Sequence, residues 1–455
     1  MSLVKLASVP SYEDEAALRA FARGALAMCP EAAIWRDGPD AKRLVVVKPN
    51  WIQASHQQMP DCWESVITHP ALVAAVVAEL AEAMGGAGTI ALCDAPHTYA
   101  DFAAILARGC LTERLDAIRA QYPALRIEVI DLRRELWTIR DDVVVARRPN
   151  PHDPRGYVRV DLGRDSLLYR HRGEGRYYGA DYDVGEVNRH HRGDLHEYLL
   201  AGTPMTCDLF VNLPKLKTHK KTGITCCLKN LVGINGDKNW LPHHTEGAPR
   251  FGGDEFPEEG MAQALERALK RVGRKTALRL PGIGPWVFRV MRRAGMRALG
   301  DSATTLRNGN WSGNDTCWRM ALDLNRAFLY AGPDGTWRAV NNARRYLAIV
   351  DGIIGGEGNG PICPDAVMSG VLLAGADPAA VDAVACRVMG FDPARIPIVR
   401  HAFDPHRMPI AGSDMSAIRV LDDRAGAEIS LDAVAPTKPG GFAPHFGWSI
   451  LREEA

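Results

Sequence analysis

The sequence is short of lysine: of its 55 basic side chains, 43 are Arg and only 12 are Lys. It also lacks any Cys-x-x-Cys pair. Ten cysteines are dispersed along 455 residues, and only Cys226 and Cys227 are adjacent. That spacing argues against a zinc ribbon, a thioredoxin-type site and an iron–sulfur run, so no iron–sulfur cluster is expected. Nor does it suggest a disulfide framework, which points to a reducing compartment. No stretch of about 18 apolar residues free of charge occurs, so a transmembrane helix is not expected. Met1 to Glu15 has no long apolar core, so a Sec-type signal peptide is not expected and the reading is a cytoplasmic protein. A charge surplus is missing too. The formal net charge is +1, which disfavours a global polyelectrolyte role, and nucleic acid is not an expected partner. With 46% hydrophobic and 24% charged residues, the chain is not disordered by composition.

What is present is an α/β pattern. Leu44 to Val47, Ile90 to Cys93 and Ile127 to Ile130 read as short buried strands. Leu72, Val73, Val76, Val77 and Leu80 repeat at helical spacing between Pro70 and Gly85-Gly86. A helix is expected from Asp101 to about Ala120. Residues 140–200 read as β-ribbon or long loop, and Tyr177 to His196 as a polar surface against a ligand or as a solvated loop. Strands resume at Leu209 to Val211 and Leu347 to Val350. The expectation is two α/β lobes with largely parallel sheets, a basic helical insertion and a small β-rich segment. Boundaries fall at 1–140, 141–205, 206–260, 261–345 and 346–455, the last ending in a tail rich in Pro and Gly.

Half of the scarce lysines sit in one place. Six of the 12 lie between Lys215 and Lys238, where random placement predicts about 0.6. Lysine is a flexible point charge suited to phosphate or carboxylate. The readings are an anion site built from Lys215, Lys217, Lys221, Lys229 and Asn230, or a solvated basic face. His219 lies among these lysines, where neighbouring charge favours its neutral form, as a base or metal ligand requires. Thr222 is expected to cap a helix beginning near Gly223. Polar residues at the ends of the expected strands, Lys48, Asn50, Asp94, His97, Asn212 and Asp351, belong where α/β sheets bind ligands. His243 and His244, with His219 and Asp351, form a candidate metal set. The run from Gly355 to Pro361 permits close backbone approach to a ligand, with Glu357 and Asn359 as candidate contacts, but it is neither a P-loop nor a Rossmann fingerprint. Asp377-Pro378 reads as a helix start, and Asp382 either faces a site or favours the helix dipole. Met261 to Gly300 carries a net charge of +9 beside Trp286, Val287 and Phe288. It suits an anionic membrane surface, a lid over an anion, or a docked helix pair.

Several of these pieces together resemble the family catalogued as domain of unknown function 362. They are Val47-Lys48-Pro49-Asn50, Thr68-His69-Pro70, Pro214 to His219, Lys229-Asn230-Leu231 with Gly233, Asp351-Gly352, Glu357 to Pro361, and Asp377-Pro378 with Val381-Asp382. They span roughly residues 40 to 425. The resemblance brings no reaction with it. Some relatives carry an added ferredoxin-like module, whose cysteines this chain lacks. The order of motifs is also similar to that of the lactate racemase group, which implies two α/β lobes with Lys and His in the cleft.

The expectation is an enzyme acting on a phosphorylated or carboxylated small molecule, sugar- or lipid-linked among the options. His219, Lys217, Lys229 and Asp382 are the candidate catalytic groups. Lys48, Asn50, Lys215, Lys221, Asn230, Glu357 and Asn359 are the candidate substrate contacts. A divalent metal at His219, His243, His244 and Asp351 is the cofactor expectation. The rivals are a non-catalytic protein docking through residues 261–300 on an anionic membrane or polyanion, and a redox protein.

Overall fold

The computed structural model describes residues 2–29, 38–140, 143–180, 183–258, 260 and 305–452. The basic stretch 261–300, with its expected helices and membrane contact, lies outside them.

Eighteen strands occur among the described residues. In the first half they are β1 (Leu3–Ser8), β2 (Leu44–Pro49), β3 (Gly88–Asp94), β4 (Leu125–Asp131), β5 (Glu135–Arg140), β6 (Val143–Pro149), β7 (Tyr157–Asp161), β8 (Tyr177–Gly179), β9 (His191–Arg192) and β10 (Leu195–Ala201). The second half adds β11 (Leu209–Leu213), β12 (Lys215–His219), β13 (Gly223–Thr225), β14 (Pro242–Thr245), β15 (Tyr346–Asn359), β16 (Cys363–Gly375), β17 (Arg419–Asp422) and β18 (Ala427–Ser430).

Eleven of them build one sheet, in the order β18-β17-β1-β16-β15-β11-β2-β3-β4, with β12 and β13 branching from β15. The run β15-β11-β2-β3-β4 is parallel throughout. The mixed α/β class expected from alternating strands and helices is therefore present. Strands assigned to two lobes meet in this one sheet, because β11 from the second half pairs with β2 from the first. Alternation alone does not reveal which strand lies beside which.

The central strands are apolar because both faces are covered. All six residues of β2 and all five of β11 are buried. Val45 and Val47 face a layer holding Leu72, Val76 and Leu80 of the helix Pro70–Ala83 and Phe21 of the helix Glu15–Met28. Val46 and Phe210 face the other layer, with Leu324 and Phe328 of the helix Cys317–Tyr330 and Val381 and Val384 of the helix Pro378–Val388. Helix starts follow their sequence signals. Asp377 accepts from the backbone N–H groups of Ala379 and Ala380, with Pro378 at the first position.

Three local expectations change. The helix expected from Asp101 to Ala120 is broken into Phe102–Leu106 and Leu111–Gln121. Gly109 and Cys110 turn the chain at φ 52° and 55°, and a Cβ at Gly109 would lie 3.0 Å from the Pro70 ring. Thr222 caps no helix, because Gly223–Thr225 is strand β13 and the helix begins at Cys227. In the segment Tyr177 to His196 the described residues include strand β8, a helix Val184–His190 and strand β9. His191 is fully buried against Tyr198, and His190 stacks on Trp240 at 3.4 Å.

Among the described residues, no helix is long and apolar enough to cross a membrane.

Candidate functional site

Strand alternation divides the predicted site residues between the two faces of the sheet. On β2, Lys48 continues the parity of Leu44 and Val46. On β11, Asn212 continues that of Phe210, and on β15, Asp351 continues that of Leu347 and Ile349. Two polar networks result, both at the carboxyl edge of the parallel strands, where α/β sheets place ligands.

The first network is centred on Asn230, at the end of the short helix Cys227–Asn230. Its side-chain oxygen accepts from Lys48 Nζ at 3.2 Å and from Asn50 Nδ2 at 2.8 Å. Its Nδ2 donates to Asn212 Oδ1 at 2.7 Å. Lys48 also pairs with Asp94 at 2.8 Å. Lys217 reaches the same place, donating to Asn50 Oδ1 at 2.9 Å and to the Val66 carbonyl at 2.5 Å. Gly233 allows the following turn to close over this pair. A Cβ there would sit 1.9 Å from Asp94 Oδ1 and 2.6 Å from Lys48 Nζ. Gly233→Ala should therefore separate Lys48 from Asp94 and cost on the order of 3 kcal/mol of stability, read as a fall in the urea midpoint. An unchanged midpoint would show that the turn yields freely.

The second network holds Lys215, fully buried, against Asp351 at 2.7 Å. Tyr12 donates to Asp351 Oδ1 at 2.6 Å, and the backbone N–H of His69 donates to Oδ2 at 2.7 Å. Burial and the adjacent Asp351 carboxylate push the Tyr12 hydroxyl well above its usual range. Asp351 is thus occupied, on the opposite face from Lys48 and Asn230.

Charge in the first region is unbalanced. Lys217 is fully buried, and among the described residues it has no carboxylate partner. Burial, then the nearby Lys215, pushes its ammonium well below the usual lysine range. Lys229 is 8% exposed. Among the described residues, no carbonyl, carboxylate or side-chain oxygen accepts from its ammonium, and burial lowers it too. Lys221 donates to the Asn308 carbonyl at 2.5 Å and is lowered by burial to about 8. A basic face in contact with water is therefore not what this cluster forms.

Two histidines lie in the same field. Burial and then Lys229 depress both His219 and His243 well below the ordinary range, so both are neutral at pH 7. Their backbone contacts give them opposite tautomers. His219 Nδ1 accepts from Lys221 N at 3.0 Å, which leaves the proton on Nε2. His243 Nδ1 donates to the Leu241 carbonyl at 2.9 Å, which leaves a lone pair on Nε2. One ring offers a donor and the other an acceptor. His97, lowered by burial and then by Lys238 to about 3, adds a third neutral ring.

The expected metal set is not assembled. Asp351 is held by Lys215, Tyr12 and His69, and His219 has its Nδ1 committed. Among the described residues, the group of side chains placed to share a metal ion is instead Cys226, Cys227 and Asp382. Asp382 accepts from the backbone N–H groups of Cys227 at 2.7 Å and Leu228 at 3.0 Å. It therefore orients the helix that carries Lys229 and Asn230. Burial raises its carboxyl to about 6. His244 Nδ1 lies 3.3 Å from Lys221 Nζ.

The glycine-rich run lies at the tip of the β15–β16 hairpin. Glu357 pairs with Lys438 at 2.7 Å and accepts from Ala443 N, while Asn359 is exposed. A Cβ on Gly360 would lie 1.9 Å from the Thr218 carbonyl, so the glycine serves packing against β12. Cys317, at the start of the helix Cys317–Tyr330, is fully buried.

No curated protein and no solved structure matches the chain. A family model does match, over residues 161–387. The match takes in the lysine segment with Asn230, the strand carrying Asp351, and Asp382; Lys48, Asn50 and Asp94 of the first network and Tyr12 and His69 of the second lie before it. The chain belongs to the family described as Domain of unknown function (DUF362).

Proposed function

We propose that this protein is an enzyme acting on a small anionic molecule, phosphorylated or carboxylated, bound at the lysine cluster. The observation that carries this reading is Lys229, which is 8% exposed and whose ammonium has no hydrogen-bond acceptor among the described residues. A buried unpaired cation is costly to the fold, and an anion supplied by a ligand relieves that cost. Lys217, with only neutral acceptors, adds to the surplus. Burial of these lysines favours a small ligand over a membrane or polymer, since a flat surface does not reach them.

In this reading Lys217, Lys221 and Lys229 hold the anion and stabilise negative charge that develops on it. His219 donates through Nε2, and His243 accepts through Nε2, which equips the site for proton transfer to and from one ligand. Lys48, Asn50 and Asn230 position Lys217 and the helix end. The reaction itself is left open between proton transfer beside a carboxylate and group transfer.

The test is thermal unfolding and calorimetry with inorganic phosphate, a sugar phosphate and malonate. A bound anion at about 100 times its dissociation constant stabilises the fold by about 2.7 kcal/mol. The expected result is a saturable rise in Tm for at least one of the three. No rise with any of them, or an equal rise in a Lys217→Met/Lys229→Met double variant, would sink the reading.

A further inference from the structure

We propose that a second ligand site lies beside the Lys215–Asp351 network, and that it takes a small zwitterion: an ammonium and a carboxylate carried on one apolar body, as in an apolar amino acid. It is separate from the lysine cluster and does not depend on the anion reading.

The site is a cavity of about 340 Å3, within the size range of small-molecule pockets. Its inner wall is fixed. The Tyr12 hydroxyl donates to Asp351 and accepts from Lys215 Nζ and from the backbone N–H of Ile354, both at 3.1 Å. The Tyr12 ring lies flat on His69, with centroids 3.6 Å apart, and His69 in turn stacks on Trp63 at 5.1 Å. His69 Nδ1 accepts from Ala71 N at 3.1 Å, so its proton is on Nε2, 3.5 Å from Glu64 Oε1. A wall locked by packing and hydrogen bonds presents one shape to a ligand.

The apolar side is formed where the sheet is irregular. Gly352 pairs with Val371 but Ile354 with Met368, so β16 carries an extra residue here, and Gly370 takes φ 63°. Ile353 and Ile354 line the cavity. Met368 stands at it 71% exposed, the most exposed of the large apolar side chains among the described residues. A methionine so placed is an adaptable contact for an apolar ligand.

Charge selects the ligand class. Glu13, Glu64 and Arg114 line the same cavity. Among the described residues, Arg114 pairs with no carboxylate, and only its Nε is engaged, donating to the Gly109 carbonyl at 3.2 Å. Glu13 uses its backbone N–H, toward Ser11 Oγ, and its carboxylate pairs with no cation among the described residues. Glu64 has only the His69 contact. Opposite charges thus share a cavity without meeting each other. A molecule bearing both signs bridges them, with its carboxylate on the Arg114 guanidinium and its ammonium on Glu13 and Glu64. Its apolar body then lies against Ile354 and Met368. A simple anion would meet two carboxylates, and a simple cation would leave Arg114 unanswered.

Phenylalanine is the probe, with phenethylamine, which lacks the carboxylate, and 3-phenylpropionate, which lacks the amine, as controls. Calorimetry on the full-length protein should show saturable binding of phenylalanine, and binding of either control about tenfold weaker. Arg114→Gln should weaken phenylalanine by about tenfold and leave phenethylamine unchanged. Glu13→Gln/Glu64→Gln should weaken phenylalanine without weakening 3-phenylpropionate. Glu13 and Arg114 are exposed and Glu64 is half-buried, so an unchanged Tm should show that these variants fold. No saturable binding of phenylalanine would overturn the proposal. So would equal affinity for the three compounds, or phenylalanine affinity that both charge variants leave intact. Phenylalanine binding lost in Lys217→Met/Lys229→Met but kept in Arg114→Gln would place the ligand in the lysine cluster and overturn it too. The phosphate response of the lysine cluster is read separately, so either reading can fall alone.

Discussion

Replacing Lys229 with methionine should make the protein more stable and its anion site empty. Methionine keeps the length of the side chain and removes the charge. The wild-type side chain is largely buried, its ammonium has no acceptor among the described residues, and burial lowers it below the usual lysine range. Removing an uncompensated buried cation should raise stability in the absence of ligand by on the order of 1–3 kcal/mol. Losing one charge-assisted contact should at the same time weaken phosphate binding by about 100-fold. The two effects have opposite signs, which separates a functional lysine from a structural one. A structural lysine would lose stability on substitution and leave ligand affinity nearly unchanged. Urea unfolding without ligand and calorimetry with phosphate measure the two terms independently. A destabilised variant with intact phosphate affinity would remove Lys229 from the site.

The second large effect is acid sensitivity. His191 is fully buried. Its Nε2 donates to the Trp240 carbonyl at 2.8 Å, and its Nδ1 has no partner among the described residues. Burial holds it at about 3 in the folded protein, against an unfolded value near 6.5. His69, also lowered mainly by burial, stands at about 4. Both folded values lie below the unfolded one, so the unfolded chain binds more protons in the window between them. Stability is therefore full above about pH 6.5 and falls as pH drops through 6.5 toward the folded values. At pH 5 each of these two rings should cost about 2 kcal/mol. His191→Gln cannot take up the proton, and the difference in urea midpoint between pH 7 and pH 5 should shrink in that variant. Equal pH dependence in wild type and His191→Gln would show that this ring is protonated in the folded state at little cost.

Much of this was readable in the residues themselves. The apolar strands, the helix from Pro70, the Asp377-Pro378 start and the concentration of scarce lysines all express local preferences, and local preferences survive into the fold. What was not readable shares a cause. Asp351 and His219 were grouped as candidate metal ligands by residue type. A step of one residue along a strand reverses the side chain, however, and the pairing partner decides which face is which. Thr222 looked like a cap because Thr precedes Gly there, yet pairing with β12 drew Gly223–Thr225 into a strand. Glu357 and Asn359 looked like ligand contacts because glycines surround them, and the tail around Lys438 and Ala443 claims Glu357 instead.

By itself, the sequence determined an α/β protein with no Cys-x-x-Cys pair and with half of its lysines gathered between Lys215 and Lys238. Those properties are set by composition, periodicity and spacing along one dimension. Tertiary structure decided whether that charge is solvated or buried, which of the lysines meet a carboxylate, and which tautomer each histidine holds. Lys48 finds Asp94, Lys215 finds Asp351, and Lys229 is left without an acceptor among the described residues. Burial and partner are properties of the surroundings, and desolvation makes an unpaired lysine costly to the fold, which is the ground for proposing an anion as its partner.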